Sequence, residues 1–155
     1  MARPHIEPYV ELNDPFRKFD IAGFKGSHYK VLSLDTDTGA CTLKVRFDGG
    51  YKRKPGLSYS DVEIFVLNGE IRVGDERWRE GHYAYVPAGM ALDALSVPQG
   101  AEALVMFNDS EPNFEESRDS HGLALKEAFN SLNTYEDLPW LDNTPVHPAT
   151  APGYL

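Results

Sequence analysis

The 155-residue sequence predicts an all-β domain, either a sandwich or a barrel of short strands. Three observations carry this. Cys41, Leu43, Val45 and Phe47 alternate with Thr42, Lys44 and Arg46, the period of two that a strand with one buried and one wet face requires. Further short apolar runs follow at even spacing, separated by turn residues. The 13 Gly and 11 Pro are spread along the chain, as many turns demand.

In chain order, residues 1–28 read as an N-terminal arm, with Pro4, Pro8 and Pro15 spaced through it, that packs on the body or on a partner subunit. The body spans 29–110. It opens with a strand at Lys30-Val31-Leu32-Ser33-Leu34, turns at 35–39, and continues with the alternating row that ends at Gly49-Gly50. Val62 to Leu67 is apolar on both faces except for Glu63, which suits a central strand. Asn68-Gly69 then reads as a hairpin turn, because both positions of that turn favour positive φ, and Glu70 to Val73 resumes the alternation. Gly74-Asp75 marks a second tight turn. Trp78, Tyr83 to Val86, Ala91 to Leu95 and Ala103 to Phe107 supply further strands, divided at Gly81, Pro87-Ala88-Gly89 and Pro98-Gln99-Gly100. In the C-terminal segment, 111–155, Asp119 or Ser120 caps a helix over about 122–132. Its Leu125, Phe129 and Leu132 share a face that packs on the body, and Trp140 docks the extended tail.

Composition narrows the function. Apolar residues make up 41% and charged residues 25%, the balance of a folded globular chain. The net charge of −9 argues against nucleic acid and against an anionic membrane surface, both of which call for clustered Lys and Arg. The lone cysteine, Cys41, allows no intramolecular disulfide and sits in an apolar row as a small core residue. No apolar run approaches a membrane span, and no hydrophobic signal region follows Met1, so a reducing, cytoplasmic setting is expected.

Two stretches carry a resemblance. Gly50 through Gly69, with Glu63-Ile64-Phe65-Val66-Leu67-Asn68-Gly69-Glu70 as its most specific part, and Gly81 through Gly89, with Tyr85-Val86-Pro87-Ala88-Gly89, resemble the two motifs of the cupin family. The resemblance covers about 29–108. It implies a cupin-type jelly-roll β-barrel and a homodimer. Ala2-Arg3-Pro4-His5-Ile6-Glu7 and Tyr29-Lys30-Val31-Leu32-Ser33 are similar to uncharacterised bacterial cupins. Some of those carry two cupin domains, and Pro152-Gly153-Tyr154-Leu155 resembles the approach to a second one, so the chain reads as a shortened form.

The resemblance also says where metal ligands belong. The first motif's two histidines fall on Gly56 and Ser58, its glutamate on Glu63, and the second motif's histidine on Leu92. Only Glu63 is a competent donor, and one carboxylate does not hold a first-row metal. The expectation is therefore no metal and no cofactor. Of the five histidines only His82 lies on a barrel strand, where it reads as a rim residue. His5, His28, His121 and His147 fall in arms and loops.

Strand parity puts Glu63, Phe65 and Leu67 on one face, with Tyr59, Asp61, Tyr85 and Asp93 near the same cavity. A carboxylate in an apolar, aromatic pocket has a raised pKa and serves as general acid or base. The other reading of Glu63 is a buried carboxylate paired with Arg, Lys or backbone. Candidate catalytic residues are Glu63, Tyr59 and Tyr85; candidate substrate-binding residues are Ser58, Asp61, Phe65, Leu92 and Asp93. Lys52-Arg53-Lys54, the one basic run, reads as a solvated loop at the barrel mouth, or as an attractor of an anionic ligand to the opening. Three functions stay open: a metal-independent isomerase, lyase or cyclase using Glu63; a non-catalytic small-molecule binding or sensing module; and a metal-dependent dioxygenase-like cupin with other ligands.

Overall fold

A computed structural model describes residues 3–116. Its strands are β1 (Arg17–Lys18), β2 (Ser27–Leu34), β3 (Cys41–Phe47), β4 (Tyr51–Arg53), β5 (Gly56–Leu57), β6 (Val62–Val73), β7 (Glu76–Arg79), β8 (Tyr83–Val86), β9 (Leu95–Val97), β10 (Ala101–Phe107) and β11 (Glu115–Glu116). Nine of them form one antiparallel sheet in the order β1-β2-β3-β10-β6-β9-β4, with β7 and β8 also pairing with β6; β5 and β11 form a separate two-stranded ribbon. The sheet curls into a half-barrel whose inner face is the core. The helix expected over 122–132, Trp140, His121 and His147 lie outside the described residues.

Alternation builds the inner face. Cys41, Leu43, Val45 and Phe47 of β3 stand beside Phe107, Val105, Ala103 and Ala101 of β10, all buried, while Thr42, Lys44 and Arg46 point outward. Val62 and Val66 of β6 continue the layer and are buried.

One part of the strand reading is corrected. Asn68-Gly69 is not a hairpin turn: β6 runs through it for 12 residues. Ala103 pairs with Val66 and Glu102 with Asn68, so Leu67 is an extra residue, a β-bulge. The bulge reverses the parity. Val62 and Val66 face inward before it; Ile71 and Val73, odd-numbered, face inward after it. A single long strand thereby contributes to both walls of the curl. The tight hairpin lies further on, at Gly74-Asp75, where Val73 pairs with Glu76 and Gly74 has φ of 59°, as the first position of a type II′ turn requires.

The N-terminal arm packs on the body. Phe19 and Phe24 stack at 4.4 Å within the core, and β1 pairs with β2. On the outer face, Glu11 accepts hydrogen bonds from Lys30 Nζ (2.9 Å) and Lys44 Nζ (2.8 Å), and Phe16 lies against Lys30 and Arg46. The two ammonium groups hold the Glu11 carboxylate below its ordinary range.

Candidate functional site

The curled sheet leaves a cavity of about 50 Å³ between its walls. Most of the lining is hydrocarbon and aromatic: Ile64 and Ile71 from β6, Val105 and Phe107 from β10, Leu95 from β9, with Trp78, Met90 and Phe114 toward one side. Among the polar groups that line it are the Arg53 guanidinium, the Ser58 hydroxyl and the Asn113 amide.

Arg53 was read from the sequence only as part of a basic run at the barrel mouth; its inward position on a strand was not foreseen. Lys52-Arg53-Lys54 is corrected from a solvated loop: Tyr51 to Arg53 form β4, in register with β9, with Tyr51 opposite Val97 and Arg53 opposite Leu95. Tyr51 is buried and Lys52 exposed, so the alternation turns Arg53 inward while its neighbours stay wet. Arg53 Nε is shut off from solvent and has no hydrogen-bond partner, and desolvation lowers the guanidinium pKa from its ordinary value. What covers it is a ring: Phe114 lies 4.0 Å from the guanidinium carbon.

Phe114 belongs to the strap that leaves β10. The strap is held by Asn113 Oδ1, which accepts from Ser58 Oγ (3.0 Å) and Tyr59 N–H (2.7 Å), and by the short β5–β11 pairing. Gly23 and Gly56 make the seat for the ring. A Cβ at Gly23 would come within 2.5 Å of Phe114 Cδ2, and one at Gly56 would collide with the same ring. Phe114 also lines two open grooves on the outside, so its side chain is part of the wall between them and the interior.

The expected site residues divide between two places. Ser58 and Leu92 line the cavity, Leu92 through a pair of backbone hydrogen bonds to Gly56 (3.1 and 2.7 Å). Glu63, Tyr59, Tyr85, Asp61, Phe65 and Asp93 do not line it. Glu63 is corrected most sharply. The inward positions of β6 are Val62, Ile64 and Val66, so Glu63, Phe65 and Leu67 stand on the outer face. There Glu63 Oε1 accepts from Tyr83 Oη (2.6 Å) and Oε2 from Asn108 Nδ2 (2.9 Å). These hydrogen bonds favour the charged form and lower the Glu63 pKa, against the raised one that its acid–base reading requires.

Tyr85, half-exposed on the same face, has its pKa raised by burial and by Asp61. Asp61 Oδ1 accepts from the Ala88 N–H (2.8 Å), which fixes the loop after β8. The Tyr59 hydroxyl donates to Glu115, and Phe65 pairs across the strands with Tyr83. The Asp93 carboxylate lies against Gly74 at the β6–β7 turn, with Oδ2 2.6 Å from where a Cβ would stand.

The Glu63 partner is pushed the other way: the Tyr83 phenol rises to about 12, chiefly because it donates to the carboxylate. Raised above its ordinary value near 10, Tyr83 contributes stability that is full below about pH 10 and is lost as pH rises through about 12. Glu63, depressed, contributes stability that is full above the ordinary Glu range and is lost as pH falls through its lowered pKa. Glu63→Gln is expected to bring the Tyr83 titration down toward about 10 in a phenolate absorbance titration, with a smaller fall at Tyr85, which the same charge also raises. Superimposable titrations of the two proteins would refute the contact.

The fold family's metal does not fit these residues. Gly56 and Leu92 offer no donor, the Ser58 hydroxyl is engaged with Asn113, and the inward residue on β6 is Val62. Among the described residues, no group of three or more His, Cys, Asp and Glu converges where it would hold a metal ion.

Residues 17–110 match the ChrR cupin-like domain family. The chain belongs to that family. A comparison with curated protein sequences finds no match. Among solved structures, a candidate dioxygenase from Nostoc punctiforme matches at 24% identity and TM-score 0.65, over 73% of this chain and 42% of its own. The chain thus spans less than half the length of that protein. The polyketide cyclase RemF from Streptomyces resistomycificus matches at 16% identity and TM-score 0.61, over 87% and 95%. A protein of unknown function with a cupin-like fold from Ralstonia eutropha matches at 16% and 0.59, over 94% and 100%. At these identities the likeness shows the fold alone. This ChrR cupin-like domain therefore has the jelly-roll-like sheet that its motifs announce, with Gly56, Ser58 and Leu92 where the motif histidines would stand. Among its described residues no helix is long and apolar enough to cross a membrane.

Proposed function

We propose that this cupin-like domain binds a small organic molecule in the interior of its half-barrel, without a metal held at the family's motif positions. The observation that carries the reading is the apolar cavity walled by Ile64, Ile71, Val105 and Phe107 and closed on one side by the Phe114 strap. Packed protein interiors seldom leave space between well-ordered apolar side chains, and ligand sites are apolar hollows with a few placed polar groups. Structural neighbours named for dioxygenation and for polyketide cyclisation support a ligand of the small organic class. Acid–base catalysis by Glu63 is not part of this reading, since its carboxylate is on the outer face and held ionised by Tyr83 and Asn108. A binding or sensing role fits this geometry better than turnover does.

The cavity as it stands, about 50 Å³, is smaller than the several hundred Å³ of typical ligand pockets. The reading therefore requires the Phe114 ring to move aside as the ligand enters. Benzamide, small, neutral and aromatic, is the probe. It is expected to raise Tm saturably, by the equivalent of about 1–3 kcal/mol at concentrations well above Kd. Val105→Phe, which fills the interior, is expected to abolish the shift, with Ile64→Phe as a second filling variant. Tyr85→Ser, on the outer face, is expected to leave it. A shift that survives both filling variants and disappears with Tyr85→Ser would move the site outside and overturn the reading.

A further inference from the structure

A guanidinium normally finds carboxylate, carbonyl or water. Arg53, half-buried on β4 with Leu95 as its cross-strand neighbour, stands between the apolar cavity and an open groove on the outside. Its Nε has neither solvent nor a hydrogen-bond partner, and its Cζ lies 4.0 Å from the centre of the Phe114 ring. An unpaired buried donor is costly, and a desolvated cation more so. The nearest titratable oxygen on its own strand is the Tyr51 hydroxyl, and that hydroxyl is taken: it donates to the Gly23 carbonyl. The Phe114 ring, its centroid 4.0 Å from Cζ, offers the guanidinium no oxygen acceptor.

We infer that Arg53 is the anchor for the carboxylate of a small acid with an apolar body, held in the interior with its hydrocarbon against Ile64, Val105 and Phe107. This rests on the interior-binding reading above and names its ligand class. The planar fork of five donors matches a carboxylate's two oxygens, and the apolar lining on the cavity side lowers the competition from water there. Ser58 and Asn113, the neighbouring polar groups of the cavity, already satisfy each other. Arg53 is left as the group with unmet demand. Phe114 lies against the anchor on the cavity side, and its displacement makes room there for a ligand.

Benzoate and benzamide share size and shape and differ in charge, so the pair isolates Arg53. Isothermal titration with the full chain is expected to give benzoate about 10- to 100-fold tighter than benzamide, the worth of a hydrogen bond to a charged group. Arg53→Met is expected to erase the preference, weakening benzoate much more than benzamide. Arg53→Lys keeps the charge without the fork and is expected to retain only part of the preference. Phe114→Ala is expected to tighten benzoate, since no ring has to be displaced. Equal affinity of the two probes in the unaltered protein, or a benzoate preference that persists in Arg53→Met, overturns the assignment of the anchor and leaves interior binding standing. Absence of binding by both probes, in the unaltered chain and in Phe114→Ala, overturns both.

Discussion

Gly69→Ala is expected to destabilise the domain by about 3 kcal/mol or more, one of the largest losses from adding a single methyl group. Two costs add. Gly69 has φ of 81°, where an L-residue with a Cβ pays about 1–2 kcal/mol. The added Cβ would also meet the Gly100 carbonyl oxygen and come within 2.7 Å of Ala101 Cα. Both are backbone atoms of the central strand β10 or the residue before it, paired with β6 at this point, so the clash is relieved only by parting the sheet. Gly89 is the control. It has nearly the same φ, 83°, but nothing within 4 Å of the added Cβ, so Gly89→Ala is expected to cost only about 1 kcal/mol. Urea denaturation of the two variants measures the difference. Equal losses at both positions would mean that Gly69 sits in an open turn, and the continuous β6 would be wrong.

That same residue marks where the sequence stopped being legible. Cys41–Phe47 and Tyr83–Val86 have the bounds that their alternation indicates, because each faces one way throughout. β6 faces the core twice, with a bulge at Leu67 between, and the Asn-Gly just beyond it, with Gly69 at positive φ, reads locally as a hairpin turn. A local pattern cannot tell these apart; the partner strand decides, and β10 pairs on both sides of the bulge. The error at Glu63 has the same origin as any parity error. Placing the motif glutamate on residue 63 shifts the inward set by one, from Val62 and Ile64 to Glu63 and Phe65, and a one-residue slip exchanges every side chain between core and solvent. The paired β8 would have warned of it, since Tyr85 and Tyr83, opposite Glu63 and Phe65, are themselves exposed.

Arg53 was hidden for a different reason. Tyr51-Lys52-Arg53 is a strand of only three residues, and its inward set is one aromatic and one cation. Hydrophobic alternation detects strands through the residues that are cheap to bury. A strand that buries a charge looks like a loop by that measure, and so a local rule fails where a residue serves a ligand rather than the core. The signal available was the two-residue spacing from Tyr51, which the turn at Gly49-Gly50 made easy to pass over.

Phe107→Ala is expected to cost about 4–5 kcal/mol, the upper part of the range for a core phenylalanine, and to make the interior a stronger site for neutral aromatics. Phe107 is 1% exposed, ends the central strand, meets Phe24 edge-to-face at 6.1 Å and lines the cavity. The cost of a core deletion depends on how far the walls collapse into the gap. Here they cannot collapse far. A cavity of about 50 Å³ already persists beside the ring, and the walls are sheet strands whose ladders fix their spacing. The deleted ring therefore leaves its space behind, joined to the space already there. An apolar cavity of about 150 Å³ stays dry and takes up benzene, so benzamide is expected to bind Phe107→Ala more tightly than the unaltered chain and to restore part of its lost stability. Loss of stability without any gain in benzamide affinity would mean that the walls do close, and that the interior is ordinary core rather than ligand space. Both outcomes are read from one set of urea curves taken with and without the probe. The experiment thereby ties folding to function at a single side chain: the hydrocarbon that holds the half-barrel together is the same hydrocarbon that a ligand on Arg53 would touch.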